Sequence, residues 1–283
     1  MTTNLTPKFA LAVLFALLAT ASIRAGTITV GNLPATGTDA ATGISAANTY
    51  LCCLDFGSYN TTTYSINGVN FQHLDPGNQT VNTVSGTESA GHGGTYTISS
   101  GPQPLGPACK LARTSSTTQG SPSSQADGTS LTMFYDLIYV GSSGPVGSWL
   151  NQTYGGLIPT AQYALRVYYR QWASDNRSVN IAFNGEGTTQ LYSGNPLNLD
   201  AGGAHYIEYD FTASSTSVFM GMTNQGNNVS AMIYFMTLQQ TAGPPPPLVA
   251  ATINTQPAGF TNWVELTNTL SVVASGNPAP TYQ

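Results

Sequence analysis

Beyond residue 25 the chain has no helical spacing of its apolar residues, only short runs rich in Thr, Val, Ile, Tyr and Phe between clusters of Gly, Asn, Asp and Pro. Runs of this length bounded by turn formers are strand pattern. Successive side chains of a strand point to opposite faces, and β-branched and aromatic residues fit a pleated surface. The clearest runs are 96–98, 131–140, 163–172, 178–183, 206–211, 218–222 and 232–238. Asn67-Gly68 and Asn184-Gly185 each follow a short apolar run and predict tight hairpin turns, since Asn-Gly adopts positive φ at little cost. The expected fold class is all-β, an antiparallel β-sandwich.

The start of the chain is of a different kind. Lys8 precedes an uncharged apolar run of thirteen residues, 9–21, and then Ile23-Arg24-Ala25. Crossing a bilayer takes about 20 apolar residues, so this run predicts a signal peptide, 1–25, cleaved after Ala25, with cleavage after Ala21 as the alternative. The expected location is secreted or cell-surface, with no membrane span after signal removal.

Only 7% of the residues are charged, against roughly 25% in average soluble proteins. Loss of Lys8 and Arg24 leaves five cations against twelve carboxylates, a net charge of −7. Binding to a phosphate backbone needs clustered Lys and Arg; the sequence has no such cluster, so no nucleic-acid partner is expected. The cysteines are Cys52, Cys53 and Cys109. In an exported chain they predict one long-range disulfide. Strand alternation turns Cys52 inward and favours Cys52 to Cys109, with Cys53 to Cys109 as the alternative and three unpaired cysteines acting as small hydrophobes as the plainer reading. No Cys-x-x-Cys or paired-His spacing accompanies them, so no metal site is expected.

Residues 99–130 are dense in Ser, Thr, Gly, Pro and Gln, with little to bury against chain entropy, and predict a long mobile loop within a main domain, 26–240. Four successive prolines, 244–247, favour the stiff polyproline conformation and predict a linker, 241–250. Beyond it, Ile253-Asn-Thr-Gln-Pro257 and Leu270-Ser-Val-Val-Ala-Ser-Gly-Asn-Pro-Ala-Pro-Thr-Tyr-Gln283 resemble the opening of bacterial immunoglobulin-like domains. In those, Pro-x-Pro-x-Tyr-Gln runs into a core tryptophan. The resemblance implies that 251–283 is the incomplete start of a second, immunoglobulin-like sandwich. Val272 or Ala274 stands where that family usually has a cysteine.

Between 157 and 240, Tyr163-x-Leu165-x-x-x-Tyr169 precedes Val179-Asn-Ile-Ala-Phe-Asn-Gly185 and three further runs. This order resembles the galactose-binding-like jelly roll of carbohydrate-binding modules and malectin-type domains. The resemblance implies sugar binding. On the strand itself Arg166, Tyr168, Arg170 and Trp172 share one face, with Asp175 and Arg177 in the following loop. Aromatic faces stack on sugar C–H surfaces and guanidinium forks reach hydroxyls or carboxylates, so these six residues are the candidate ligand-binding set. The plainer alternative is a solvated sheet face with Arg stems covering rings. His205 and Glu208, three apart, fall on opposite faces of a strand, and His92 and His73 (near Asp75) read as exposed turn residues. No nucleophile elbow, zinc helix or phosphate loop occurs, and Asp136, Glu186, Glu208 and Asp210 are too dispersed to favour a glycosidase pair. The expectation is a non-enzymatic module without a cofactor that binds polysaccharide or glycoconjugate; the alternative is a structural or adhesive spacer.

Overall fold

The computed structural model describes residues 26–33, 38–57, 64–76, 81–109, 136–140, 146–170, 179–192, 204–226, 231–244, 249–255 and 272–277. They form an all-β sandwich. One sheet has seven strands, in the order β1 (Thr27–Leu33), β13 (Ala204–Thr212), β10 (Gln162–Arg170), β16 (Phe235–Ala242), β2 (Thr49–Phe56), β4 (Val69–Leu74) and β3 (Tyr64–Ile66). The other has six: β12 (Gln190–Tyr192), β11 (Val179–Asn184), β14 (Ser217–Asn224), β9 (Trp149–Gly155), β6 (Thr95–Gly101) and β5 (Thr83–Thr87). Pairing within both is antiparallel except between β2 and β4, which run parallel. A three-stranded sheet joins β15 (Met232–Ile233), β8 (Asp136–Val140) and β7 (Leu105–Cys109). The expected strand runs are found where they are described, except that Tyr234 breaks the run 232–238 into β15 and β16; 131–135, 171–172 and 178 lie outside the described residues.

Alternation places the core between the two large sheets. Leu150, Gln152 and Tyr154 of β9 and Val179, Ile181 and Phe183 of β11 are buried while the residues between them are partly or fully exposed. The ring of Phe183 stacks on Tyr209 from the facing sheet at 4.9 Å. Six of the largest fully buried side chains are tyrosines, 154, 163, 168, 169, 209 and 234. A buried phenol needs a polar partner, and the backbone supplies several. The Tyr168 hydroxyl donates to the Thr42 carbonyl at 2.7 Å, and the Ile158 N–H donates to the Tyr163 hydroxyl at 2.8 Å.

Several sequence expectations change here. Cys52 and Cys53 are both free thiols and both fully buried, so neither forms the expected bridge to Cys109. Alternation does not single out Cys52, because β2 lies between β16 and β4 with both faces covered, and every residue from Cys52 to Phe56 is buried. Cys52 stands opposite Leu238 and Cys53 opposite Thr237, whereas Cys109 stands opposite Asp136 in the three-stranded sheet. The expected loop 99–130 begins as structure: β6 runs to Gly101, and β7 pairs with β8; residues 110–130 lie outside the described residues. Asn67 and Gly68, at φ 49° and 83°, make the two-residue turn between β3 and β4. Asn184 instead ends β11, and the chain reaches β12 through a longer bend over 185–189.

At the C-terminal end, β17 (Val249–Thr255) pairs antiparallel with β18 (Val273–Asn277), the two segments that carry the immunoglobulin-like motifs. Among the described residues no helix is long and apolar enough to cross a membrane.

Candidate functional site

The outer face of the seven-stranded sheet carries the predicted binding row, and the strand register shows what surrounds it. Arg166 of β10 stands opposite Glu208 of β13, Tyr168 opposite Tyr206, and Ala164 opposite Asp210. Tyr206, Glu208 and Asp210, two apart on one strand, therefore share the face with Arg166 and Tyr168.

Arg166 is fully engaged. Its Nε donates to Glu208 Oε2 at 2.6 Å, Nη2 lies 2.5 Å from the same oxygen, and Nη1 donates to the Thr42 carbonyl. Its guanidinium carbon lies 4.3 Å from the centre of the Tyr206 ring, a cation–π contact. Burial works against the Arg166 charge, but Tyr168 and Glu208 outweigh it and hold its pKa above the ordinary value. Tyr168 is completely buried, its ring stacked on Phe235 at 4.2 Å and its hydroxyl on Thr42. Burial drives its pKa up, opposed by Arg166.

The exposed aromatic platform expected at Tyr168 is thus absent. The segment that includes α1 (Thr38–Ala41) and Thr42 lies over this part of the sheet, tied down by two donors on one carbonyl. Arg170 belongs to β10, with its side chain outside the described residues, as are Trp172, Asp175 and Arg177.

Farther along the same strands the face is open. A depression of about 370 Å³ is lined by Thr27, Gln162, Asp210, Thr212 and Thr241, together with Tyr163 and Phe211. That volume lies within the roughly 300–1,000 Å³ of small-molecule sites. Tyr163 and Phe211 are buried and stacked at 5.8 Å, while Thr27, Gln162, Asp210 and Thr241 are exposed. The site is formed where β10 begins: the β10–β16 register slips between Gln162 and Tyr163, which puts Thr241 out of step with the ladder. Asp210 is the charged group of this lining, and its pKa is raised by partial burial and by Glu208, with Arg166 opposing.

No protein-family model and no curated protein sequence matches the chain. Among solved structures it is similar to the ANXUR1 extracellular domain from Arabidopsis thaliana, at 10% identity and a TM-score of 0.42, over 70% of this chain and 51% of that one. It is similar to the ANX2 ectodomain from the same plant at 12% identity and a TM-score of 0.41, over 70% and 52% of the two chains. A third similar structure is that of the plant peptide RALF23 in complex with FER and LLG2, at 11% identity and a TM-score of 0.36, over 70% and 41%. The chain spans about half of those proteins' length or less.

The remaining polar side chains fall elsewhere. His205 and Glu208 do point to opposite faces. His205 Nδ1 lies 2.8 Å from Asn32 Oδ1, and its ring stacks on Tyr169, whereas Glu208 pairs with Arg166. His73 faces Asp55 of the neighbouring strand at 3.6 Å. His92 is not a free turn residue: it packs edge-on against Tyr50 and lies 3.3 Å from Glu88. No group of three or more His, Cys, Asp or Glu suited to a metal ion occurs among the described residues. The carboxylates beside Arg166 were individually visible in the sequence. Alternation on β13 puts them on one face, but it does not say which strand lies alongside.

Proposed function

We propose that this chain is an exported, non-catalytic domain that binds carbohydrate on the outer face of its seven-stranded sheet, in the depression where β10 begins. The observation that carries the proposal is the lining of that depression. Three threonine hydroxyls, the Gln162 amide and the Asp210 carboxylate surround a cleft whose lining also includes Tyr163 and Phe211, both buried and stacked on each other. Polyol ligands need such a cluster of donors and acceptors. Export is supported by the signal-like segment 1–25. The pairing of β17 with β18 supports reading 251–283 as the start of an immunoglobulin-like domain. The predicted set at the other end of β10, Arg170, Trp172, Asp175 and Arg177, is the competing location for the site.

Affinity electrophoresis of the exported protein through neutral polysaccharide gels tests this. Retardation that Gln162→Ala with Asp210→Ala abolishes, and Trp172→Ala leaves intact, is the expected result. Loss with Trp172→Ala alone moves the site to the far end of β10. A second reading, a structural spacer, is favoured by the full engagement of Arg166 and Tyr168 on Thr42, and it predicts no retardation by any glycan.

A further inference from the structure

Gly26 directly precedes β1, the edge strand of the seven-stranded sheet that pairs with β13. A Cβ built on it would lie 2.4 Å from Cε2 of Tyr209, 2.6 Å from Oε2 of Glu186 and 3.0 Å from the Asp210 carbonyl oxygen. No side chain fits there, which is the close-approach role of glycine. Glu186, in the bend after β11, is buried. Its Oε1 accepts from Gln190 Nε2 at 2.7 Å and lies 3.4 Å from Thr188 Oγ1. Its Oε2 is buried and has no hydrogen-bond partner among the described residues. Arg166, whose side chain alone among the Lys and Arg residues is described, is held by Glu208. The Tyr209 hydroxyl lies beside this carboxylate and interacts with it, but it is neutral; a buried carboxylate without a countercharge is strongly unfavourable.

We propose that the missing countercharge is the α-ammonium of Gly26, created when the signal peptide is removed. In that step a signal peptidase adds water across the Ala25–Gly26 amide. Ala25 leaves as a carboxylate on the released peptide, and the amine left on Gly26 takes up a proton at neutral pH. The nitrogen is bonded to the same Cα as the Cβ position above, so it lies within about 5 Å of Glu186 Oε2, close enough for opposite charges to stabilise one another. Rotation of the freed terminal residue brings the two to hydrogen-bond distance. Before cleavage the same nitrogen is a neutral amide with one N–H; afterwards it carries a charge and three donors. Processing thereby converts an uncompensated buried carboxylate into an ion pair that pins the start of β1. It also fixes Thr27, which lines the proposed carbohydrate site.

The inference rests on the export reading of residues 1–25. The titratable groups facing Gly26 are Glu186 from the bend after β11 and Tyr209 from β13; Asp210 presents its backbone carbonyl there. Burial first, and the Glu186 carboxylate beside it, lift the Tyr209 phenol to about 12, so it stays a neutral neighbour of Glu186 in the range where an α-amine titrates, near 7.7–8.0 unperturbed. An ammonium paired with Glu186 has its folded pKa raised. Its stabilisation is complete below the unperturbed value and is lost as pH rises through the raised one.

The test uses the exported protein. N-terminal sequencing is expected to give Gly26. Acylation of its α-amine at pH 7.5, followed by mass spectrometry, is expected to be at least about tenfold slower in the folded wild type than in urea or in Glu186→Gln, the effect of one pKa unit. A chain with one Ser inserted between Ala25 and Gly26 repeats the comparison with Glu186 intact, and is expected to show the faster rate even if Glu186→Gln does not fold. A Gly26 amine that reacts equally fast folded and unfolded overturns the ion pair. An N-terminus at Ser22 overturns it too and leaves carbohydrate binding untouched. An exported protein that retains residues 1–25 overturns the export reading itself.

Discussion

Arg166 and Tyr168, two residues apart on β10, both donate to the carbonyl oxygen of Thr42, more than a hundred residues earlier in the chain. The predicted ligand row is thus, over its first half, the device that holds another segment of the protein against the sheet. Both donors act through one acceptor, so their effects on stability are coupled.

Arg166→Met removes the Glu208 pair and one of the two donors. Its charge-assisted bonds are partly buried, so the expected loss is about 1–3 kcal/mol. Tyr168→Phe removes a single hydrogen bond and is expected to cost about 0.5–1.5 kcal/mol. Urea denaturation of both single variants and the double variant checks this. The double-mutant cycle is expected to be non-additive, because either loss weakens the contact that the other shares. Additive losses would show that the two donors hold Thr42 independently.

The free thiols of Cys52 and Cys53 give a sharp expectation. Burial raises both pKa values, with Glu88 adding to the effect, and a thiolate is the reactive form. Both thiols are expected to be inert to a disulfide reagent in the folded protein and to react once it is unfolded. The denaturation midpoint is expected to be the same with and without reductant. A lower midpoint in reductant would establish the bridge that strand alternation suggested.

Much of this sandwich is legible in the sequence because its central strands alternate or run apolar without interruption. The runs 206–211 and 218–222 fall inside β13 and β14, and β10 begins one residue before the run 163–172. β5 and β9 do not stand out, for opposite reasons. Thr83–Thr87 contains one large apolar residue, Val84, and its side chains are partly or fully exposed. β9 interrupts its buried row with Gln152, fully buried beside Tyr154, whose hydroxyl donates to its Oε1. The site is less legible still. Its depression needs the β10–β13 register and the β16 slip beside Gln162, and neither is a property of local pattern. Covering of Tyr168 by a Thr-, Ala- and Gly-rich segment leaves no hydrophobic signal in that segment except Ile44.

Asp210 supplies a pH prediction with a definite sign. Its carboxyl is raised in the folded state by partial burial and by Glu208, so the folded chain binds a proton more readily there than the unfolded chain. In the window between the unfolded pKa and the raised folded one, stability therefore increases as pH falls. Asp210→Asn is expected to raise the midpoint at neutral pH and to remove that part of the pH dependence. Thermal denaturation between pH 3.5 and 7 measures it. A variant whose curve parallels the wild type would mean that Asp210 titrates as a free carboxyl.

Glu88 shows how a glycine-rich stretch that reads as an exposed turn is organised from within. Its carboxylate is buried and accepts from the N–H groups of Ala90 at 2.8 Å, His92 at 2.9 Å and Gly93 at 3.4 Å, with His92 Nδ1 at 3.3 Å. The loop is also tied to β2, since the Gly94 N–H donates to the Leu51 carbonyl at 2.7 Å. Glu88→Ala removes the acceptor for several loop donors at once and is expected to cost about 2–3 kcal/mol. Glu88→Gln keeps one carbonyl acceptor and is expected to lose about half as much. Amide hydrogen exchange locates the effect. Protection at His92 and Gly94 is expected to fall in Glu88→Ala, while Ile181 and Phe183 on the opposite side of the six-stranded sheet keep theirs. Unchanged protection at His92 would show that the backbone of this loop holds its shape without the carboxylate.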